Sequence, residues 1–165
     1  MADGPIDGSY WVEPGRLLAG PYPDDEEADA LLAAGIAATV DLTENGEGWT
    51  DYWTAKGLEH RRVGLRDFAP PSEESMRVAL AAVDELLARG AAVYVHCLGG
   101  KGRTGCFVAC YLIERGAAPA GALDTVRAWC DHDHSPETDE QRDFVREWRR
   151  ARPAADVSAP PPGSA

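Results

Sequence analysis

Apolar positions along this chain fall into two rhythms, and the two alternate: short β-branched runs, and longer stretches with apolar steps of three and four residues. YWVE (10–13) and RLLAG (16–20), parted by Pro14-Gly15, predict two short strands around a turn. Asp24 and Asp25 are placed to cap a helix through DEEADALLAAG that stops at Gly35. IAATVDL (36–42) has no helical period and predicts a buried strand. The loop TENGEG (43–48) leads to a short predicted helix, WTDYWTAKG (49–57), then a strand, LEHRRVGL (58–65), and the loop RDFAPPS (66–72). In the helix that Ser72 opens, Met76, Leu80, Val83 and Leu87 keep to three- and four-residue steps until Gly90 closes it. AAVYVHC (91–97) is the strongest strand, and TGCFVACYLIERG predicts a helix starting at about Arg103. Two more helices are predicted over PAGALDTVRAWC and TDEQRDFVREWRRA.

Strands alternating with helices predict an α/β domain, with a mostly parallel central sheet of four to five strands flanked by helices. At 165 residues the chain is expected to form one domain, residues 10–152, with a flexible leader (1–9) and a disordered Pro/Ala-rich tail (153–165). We find no internal repeat.

Sixteen Lys plus Arg stand against 28 Asp plus Glu, a formal net charge of −12. That balance excludes broad contact with nucleic acid or an anionic membrane but leaves room for a small positive pocket. No apolar run approaches the ~20 residues that span a bilayer, and MADGPIDGSYW has no signal-peptide pattern. Four cysteines without framework spacing predict a reduced, cytoplasmic setting. The richness in Ala, Gly and Arg suits a GC-rich bacterial genome, and a monomer is assumed.

The chemistry concentrates in HCLGGKGRTG, residues 96–105, where a strand passes through a Gly-rich turn into a helix. Backbone N–H groups of Leu98, Gly99, Gly100, Lys101, Gly102 and Arg103 can converge there on one anion, reinforced by the positive end of the helix. The three glycines are expected to supply positive φ angles and close backbone approach. Arg103 offers a bidentate fork to two oxygens. A sulfur at the focus of that field, Cys97, is favoured as thiolate and so as a nucleophile toward phosphorus. The run is not a nucleotide P-loop, because Lys101 is followed by Gly102 and not by Ser or Thr.

His96, Cys97, Arg103 and Thr104 complete the HCxxGxGRT form of the Cys-based protein tyrosine phosphatase superfamily, and the chain most resembles its small dual-specificity and bacterial tyrosine-phosphatase-like members. RLLAGPYP, TVDLTENGE, RDFAPPS and SPETDEQRDFV resemble further landmarks, so the likeness covers roughly residues 10–150. The resemblance implies that Cys97 is the nucleophile and forms a cysteinyl-phosphate. Arg103 and the amides of residues 98–103 would hold the phosphoryl oxygens, and Thr104 would hydrogen-bond the sulfur. His96 would support the thiolate from behind the loop. Asp67 matches the mobile general acid, and Gln141 the residue that positions the hydrolytic water. Neither cofactor nor metal is implied. Lys101 is shared with phosphoinositide phosphatases, but Leu98 stands where those enzymes carry a second lysine, which weakens a lipid reading.

Other residues compete for attention. Asp41 ends a strand and is a rival acid. Cys106 and Cys110, four apart on one helix face, suit core packing, with a redox partnership to Cys97 as the alternative. CDHDHSPE (130–137) holds ligand-type residues whose spacing fits no standard metal site. His60, Arg61, Arg62 and Arg66 form a basic cluster that is either solvated or lines the pocket rim. The aromatic pairs Tyr10-Trp11 and Tyr52-Trp53 are read as packing. The expected function is phosphomonoester hydrolysis, on phosphotyrosine or a dual-specificity protein substrate. The alternatives are a small-molecule phosphatase, for a sugar, inositol, nucleotide or biosynthetic-intermediate phosphate, and an inactive phosphate-binding module.

Overall fold

The computed structural model describes residues 3–49 and 51–150. Its five strands are β1 (Tyr10–Glu13), β2 (Leu17–Gly20), β3 (Ile36–Asp41), β4 (Glu59–Arg62) and β5 (Ala92–His96), and they form one sheet in the order β1-β2-β5-β3-β4. The hairpin β1–β2 is antiparallel and every other pairing is parallel. Parallel neighbours need helical crossovers, and the helices α1 (Asp25–Ala33), α2 (Tyr52–Lys56) and α3 (Glu73–Ala88) supply them. Helices α4 (Arg103–Glu114), α5 (Pro119–Trp129) and α6 (Asp139–Glu147) follow the last strand.

Strand alternation gives each face its own core. Leu17, Ala19, Ala38, Val40, Val93 and Val95 pack with residues of α3, α4, α5 and α6. Leu18, Ile36 and Tyr94 face the other way, onto Ala28 and Leu31 of α1 and Tyr52 of α2. A strand buried on both faces reads as a continuous apolar run, which is why 36–42 and 91–97 stand out in the sequence. Side-chain caps define the helix starts: Asp24 with Glu27 in a capping box, Ser72 on Ser75, and Thr138 with Gln141 in a second box.

Register places the site. Gly20 and Asp41 both pair with His96, so the loops leaving β2, β3 and β5 emerge together at the carboxyl edge of the sheet, where open α/β sheets bind ligands.

Three expectations change. Residues 3–9 are folded onto the domain and not free of it: Ile6 is buried, Asp3 bridges to Tyr10, and the Ser9 hydroxyl donates to the Ile6 carbonyl at 2.7 Å. The polar letters of this stretch are spent on a turn, which a composition rule reads as flexibility. Helix α2 is shorter than 49–57, leaving Trp49 exposed outside it, and β4 stops at Arg62. Beyond it Val63 and Leu65 still donate to the carbonyls of Asp41 and Leu42. The tail 153–165 lies outside the described residues.

Candidate active site

The chain turns sharply just after β5, at Cys97. Gly100 has φ +74°, and a Cβ there would fall 2.7 Å from the Gly20 carbonyl carbon, so only glycine lets the loop lie against β2. The Leu98 carbonyl accepts from Tyr22 N at 3.0 Å, a second tie to the same neighbour. Of the three glycines expected at positive φ, Gly100 alone has it. Gly102, at φ −78°, is small because Gln141 and Glu137 lie against it, and Gly99 faces open space. Helix α4 begins at Arg103 without a side-chain cap, so its first N–H groups are left for a ligand.

Arg103 is fully buried, and its partners divide its donors. Nη1 donates to Glu47 Oε2 at 2.7 Å and to the Leu65 carbonyl at 3.1 Å; Nη2 donates to Glu47 Oε1 at 3.1 Å and lies 3.2 Å from Asp67 Oδ1. The Nε–H is buried and has no acceptor among the described residues. Leaving such a donor unsatisfied costs about 1–3 kcal/mol, a cost that an arriving oxyanion would remove. Glu47 thus fixes the outer edge of the guanidinium and leaves the inner donor free. Burial acts to raise its carboxyl, but the Arg103 guanidinium and the Glu44 amide outweigh burial and hold it below the usual range. Sequence reasoning assigned Glu47 no role, although it sits in the TENGEG loop leaving a strand that ends at the site. An acidic loop residue at that edge was the available signal.

The loop 66–72 brings Asp67 over this arginine. Asp67 Oδ1 accepts from Phe68 N at 3.1 Å, and Phe68 holds φ +56° with its ring 62% exposed. A bulky residue in that backbone region is strained, and here the strain sits beside the carboxylate that faces Arg103. Gln141 is buried: its Nε2 donates to the Ala69 carbonyl at 3.3 Å and its Oε1 accepts from Thr138 N, so it ties the loop that carries Asp67 to α6 beside Gly102. The Thr104 hydroxyl donates to the Gly20 carbonyl at 3.5 Å and not to the sulfur, because β2 offers a carbonyl on that side. Lys101 lines a separate cavity between residues 3–9 and Trp129–His132, while Leu98 packs half-buried against the α1–α2 core.

Behind the loop His96 is fully buried, its Nδ1 3.0 Å from the Cys97 carbonyl and its Nε2 2.6 Å from the Tyr52 hydroxyl. A carbonyl only accepts, so Nδ1 carries the proton and Nε2 of the neutral ring takes the Tyr52 O–H. Burial is the main cause that lowers the His96 pKa, and it keeps the ring neutral. With the Cys97 carbonyl turned back to His96, the trans peptide directs the Leu98 N–H the opposite way. Tyr52, read from sequence as packing, therefore also fixes the tautomer that orients the loop. Asp41 is no rival acid. It is fully buried, its Oδ1 accepts from the Thr43 N–H and hydroxyl, and its Oδ2 pairs with Arg62 at 3.0 Å. Burial opposes its charge, but the Thr43 donors and the Arg62 guanidinium lower its pKa and keep it a carboxylate.

His60 stacks on Trp53 at 3.7 Å and shares a 3.0 Å hydrogen bond with Thr39. Burial first, and then the Arg62 charge, against the pull of Asp41, push its pKa down to about 4. Its folded value lies below the unfolded value of about 6.5, so unfolded chains take up the proton first as pH falls. Stability is then fully present above about pH 6.5 and is lost progressively toward pH 4. Urea unfolding should report a loss of up to about 2 kcal/mol between pH 7 and pH 5, reduced in His60→Gln; a flat profile refutes this.

Cys97, Arg103, Asp67 and an uncapped helix start thus share one edge of the sheet. Residues 7–159 match the family model described as "Swiss Army Knife protein, DSP-PTPase phosphatase domain". The chain belongs to the DSP-PTPase phosphatase family. It is 30% identical over 116 residues to phosphatidylglycerophosphate phosphatase PTPMT2 of Arabidopsis thaliana, covering 68% of this chain and 51% of that protein. It is 27% identical over 125 residues to tyrosine-protein phosphatase cdc-14 of Caenorhabditis elegans, covering 67% and 17%. The chain spans about half the length of the plant relative and less of the nematode one. The crystal structure of Tk-PTP in the active form superposes with a TM-score of 0.75 at 29% identity, over 86% of this chain and 95% of that one.

In this phosphatase domain the remaining candidates are structural in placement. Cys106 and Cys110 are buried in the core with all cysteines free, and burial pushes both thiols up. Cys130 Sγ donates to the carbonyls of Arg127 and His132, and His132 Nδ1 accepts from His134 N, so these side chains serve their own loop, while the Ser135 hydroxyl donates to the Lys101 carbonyl at 2.7 Å and braces the glycine-rich turn. Among the described residues no group of three His, Cys, Asp or Glu is arranged to hold a metal ion. The basic cluster splits: Arg61 pairs with Glu59 and Glu85, Arg62 with Asp41, and Arg66 is exposed beside the acid. Among the described residues no helix is long and apolar enough to cross a membrane.

Proposed function

We propose that this domain hydrolyses phosphomonoesters through a cysteinyl-phosphate on Cys97, and that its substrate is phosphotyrosine in proteins. The observation that carries the reading is the Nε–H of Arg103, buried and without a partner among the described residues, on a guanidinium whose other two nitrogens are held by Glu47 and Asp67. The Cys97 thiolate attacks phosphorus; the S–P bond forms, the P–O bond breaks, and the leaving oxygen takes a proton from Asp67. Water then attacks the phosphocysteine, gives its proton to Asp67 and releases phosphate, restoring the thiolate. Gln141 holds the acid loop in reach and positions that water. Thr104 turns from the Gly20 carbonyl to the sulfur as the thiolate leaves.

The exposed Phe68 ring beside Asp67 supports an aromatic leaving group, since a phenyl ring can pack against it while its oxygen meets the acid. Similarity to a phosphatidylglycerophosphate phosphatase, with Lys101 in the loop, favours a lipid or small-molecule ester as the second reading. Parallel kcat/KM measurements on phosphotyrosine, phosphoserine and phosphothreonine peptides, phosphatidylglycerophosphate vesicles and soluble phosphometabolites test the two. Phosphotyrosine peptides should lead by about tenfold or more, the discrimination a well-fitted aromatic wall supplies. A lipid or metabolite in that place overturns the substrate class. Tight anion binding without turnover of an activated aryl phosphate overturns the enzyme.

A further inference from the structure

Beside Arg103, the loop that carries Glu47 encloses a cavity of about 340 Å³ lined by Tyr22, Glu47, Gly48, Trp49, Asp51 and Arg62. One wall is aromatic and the rest is polar. The Trp49 ring is 59% exposed and lies 5.1 Å, centroid to centroid, from Tyr22. Gly48, at φ +84°, lets the loop sit directly on Tyr22, where a Cβ would fall 2.4 Å from the ring. An exposed tryptophan held against a second ring is an open face for a cation.

The charges around it agree. Arg62 also lines the cavity, but its donors are engaged elsewhere: Nη2 and Nε contact Asp41 Oδ2 at 3.0 and 3.3 Å, and Nη1 donates to Asn45 at 3.0 Å. Its charge is matched by the buried Asp41. Asp51 starts α2 without a side-chain cap bond, and its carboxylate has no hydrogen-bond or ion-pair partner among the described residues. Glu47 faces the cavity and also grips Arg103, so a group seated here lies one carboxylate away from the phosphoryl position. The chain's net charge of −12 adds long-range attraction for a basic partner.

We propose that this cavity is a substrate subsite that receives the side chain of a lysine or arginine close to the phosphorylated residue. The inference rests on the phosphopeptide reading above. The cation packs on Trp49, which the buried Tyr22 ring backs, pairs with Asp51, and offsets the negative charge that the phosphoryl group brings up to Glu47 and Asp67.

The test compares matched phosphotyrosine peptides with Arg, Ala or Glu at each of the two positions on either side, using kcat/KM ratios within wild type, Trp49→Ala and Asp51→Lys. Ratios within one protein cancel any loss of folding or of general activity. Wild type should favour Arg over Ala by about tenfold at one position, the scale of a desolvated cation–π contact plus an ion pair, and should disfavour Glu. The Arg preference should fall below about threefold in Trp49→Ala and give way to a Glu preference in Asp51→Lys. A wild-type ratio near one, or an Arg preference that survives both substitutions, overturns the subsite while leaving phosphopeptide hydrolysis intact. Turnover of an aryl phosphate with no turnover of any peptide overturns both.

Discussion

Cys97→Ser should reduce turnover of every substrate by at least about 10⁴-fold while the protein still binds phosphate or vanadate. An alcohol lacks the acidity and nucleophilicity of a thiol, and nothing near residue 97 is placed to deprotonate it: His96 is neutral, donates to the Cys97 carbonyl, and has its Nε2 occupied by Tyr52. The anion cradle is built from other atoms. The Arg103 Nε–H, the loop amides and the start of α4 do not depend on the sulfur, so equilibrium binding should persist within a few-fold. In wild type, acid quenching during turnover should leave phosphate on the peptide that contains residue 97. A serine variant that keeps more than a few percent of activity, or a label on another residue, would refute nucleophilic catalysis by Cys97. Loss of anion binding together with turnover would mean that the loop needs the sulfur to hold its shape.

Much of this was legible in the sequence, because the fold's signals are local. Val93 and Val95 alternating with Tyr94, the caps Asp24, Ser72 and Thr138, and the glycine-rich turn after a strand each act within a few residues of one another. Cys97 and Arg103 are separated by five residues, so a spacing rule captures them. What was not legible depends on contacts far apart in the chain. Glu47 meets Arg103 across 56 positions, and Tyr52 meets His96 across 44. Neither residue type announces such a role: an acidic loop residue and an aromatic on a short helix have common structural explanations. Asp41 looked like an acid because it ends a strand at the right edge; its pairing with Arg62, fixed by the register of β3 on β4, removes it from the chemistry. Residues 3–9 deceived in the opposite sense. Their polar composition hid one buried isoleucine and the Ser9 turn.

Asp67→Asn should separate substrates by their leaving groups. Asparagine keeps an oxygen for the Phe68 N–H and fits the same space, so the loop should hold its place. What it loses is the proton. A phenolate such as tyrosine leaves poorly unprotonated, and general acid catalysis contributes typically 10²–10⁴-fold, so phosphotyrosine turnover should fall by about 10²-fold or more. An activated aryl phosphate expels a stable phenolate and should slow by less than about tenfold. The loss should lie in kcat. Asp67 Oδ1 stands 3.2 Å from Arg103 Nη2, so neutralising it removes a negative charge from the anion site, and KM should stay level or fall. Equal slowing of both substrates would disqualify Asp67. A rise in KM with kcat intact would recast it as a residue that shapes the mouth of the site and leaves protonation of the leaving oxygen to another group.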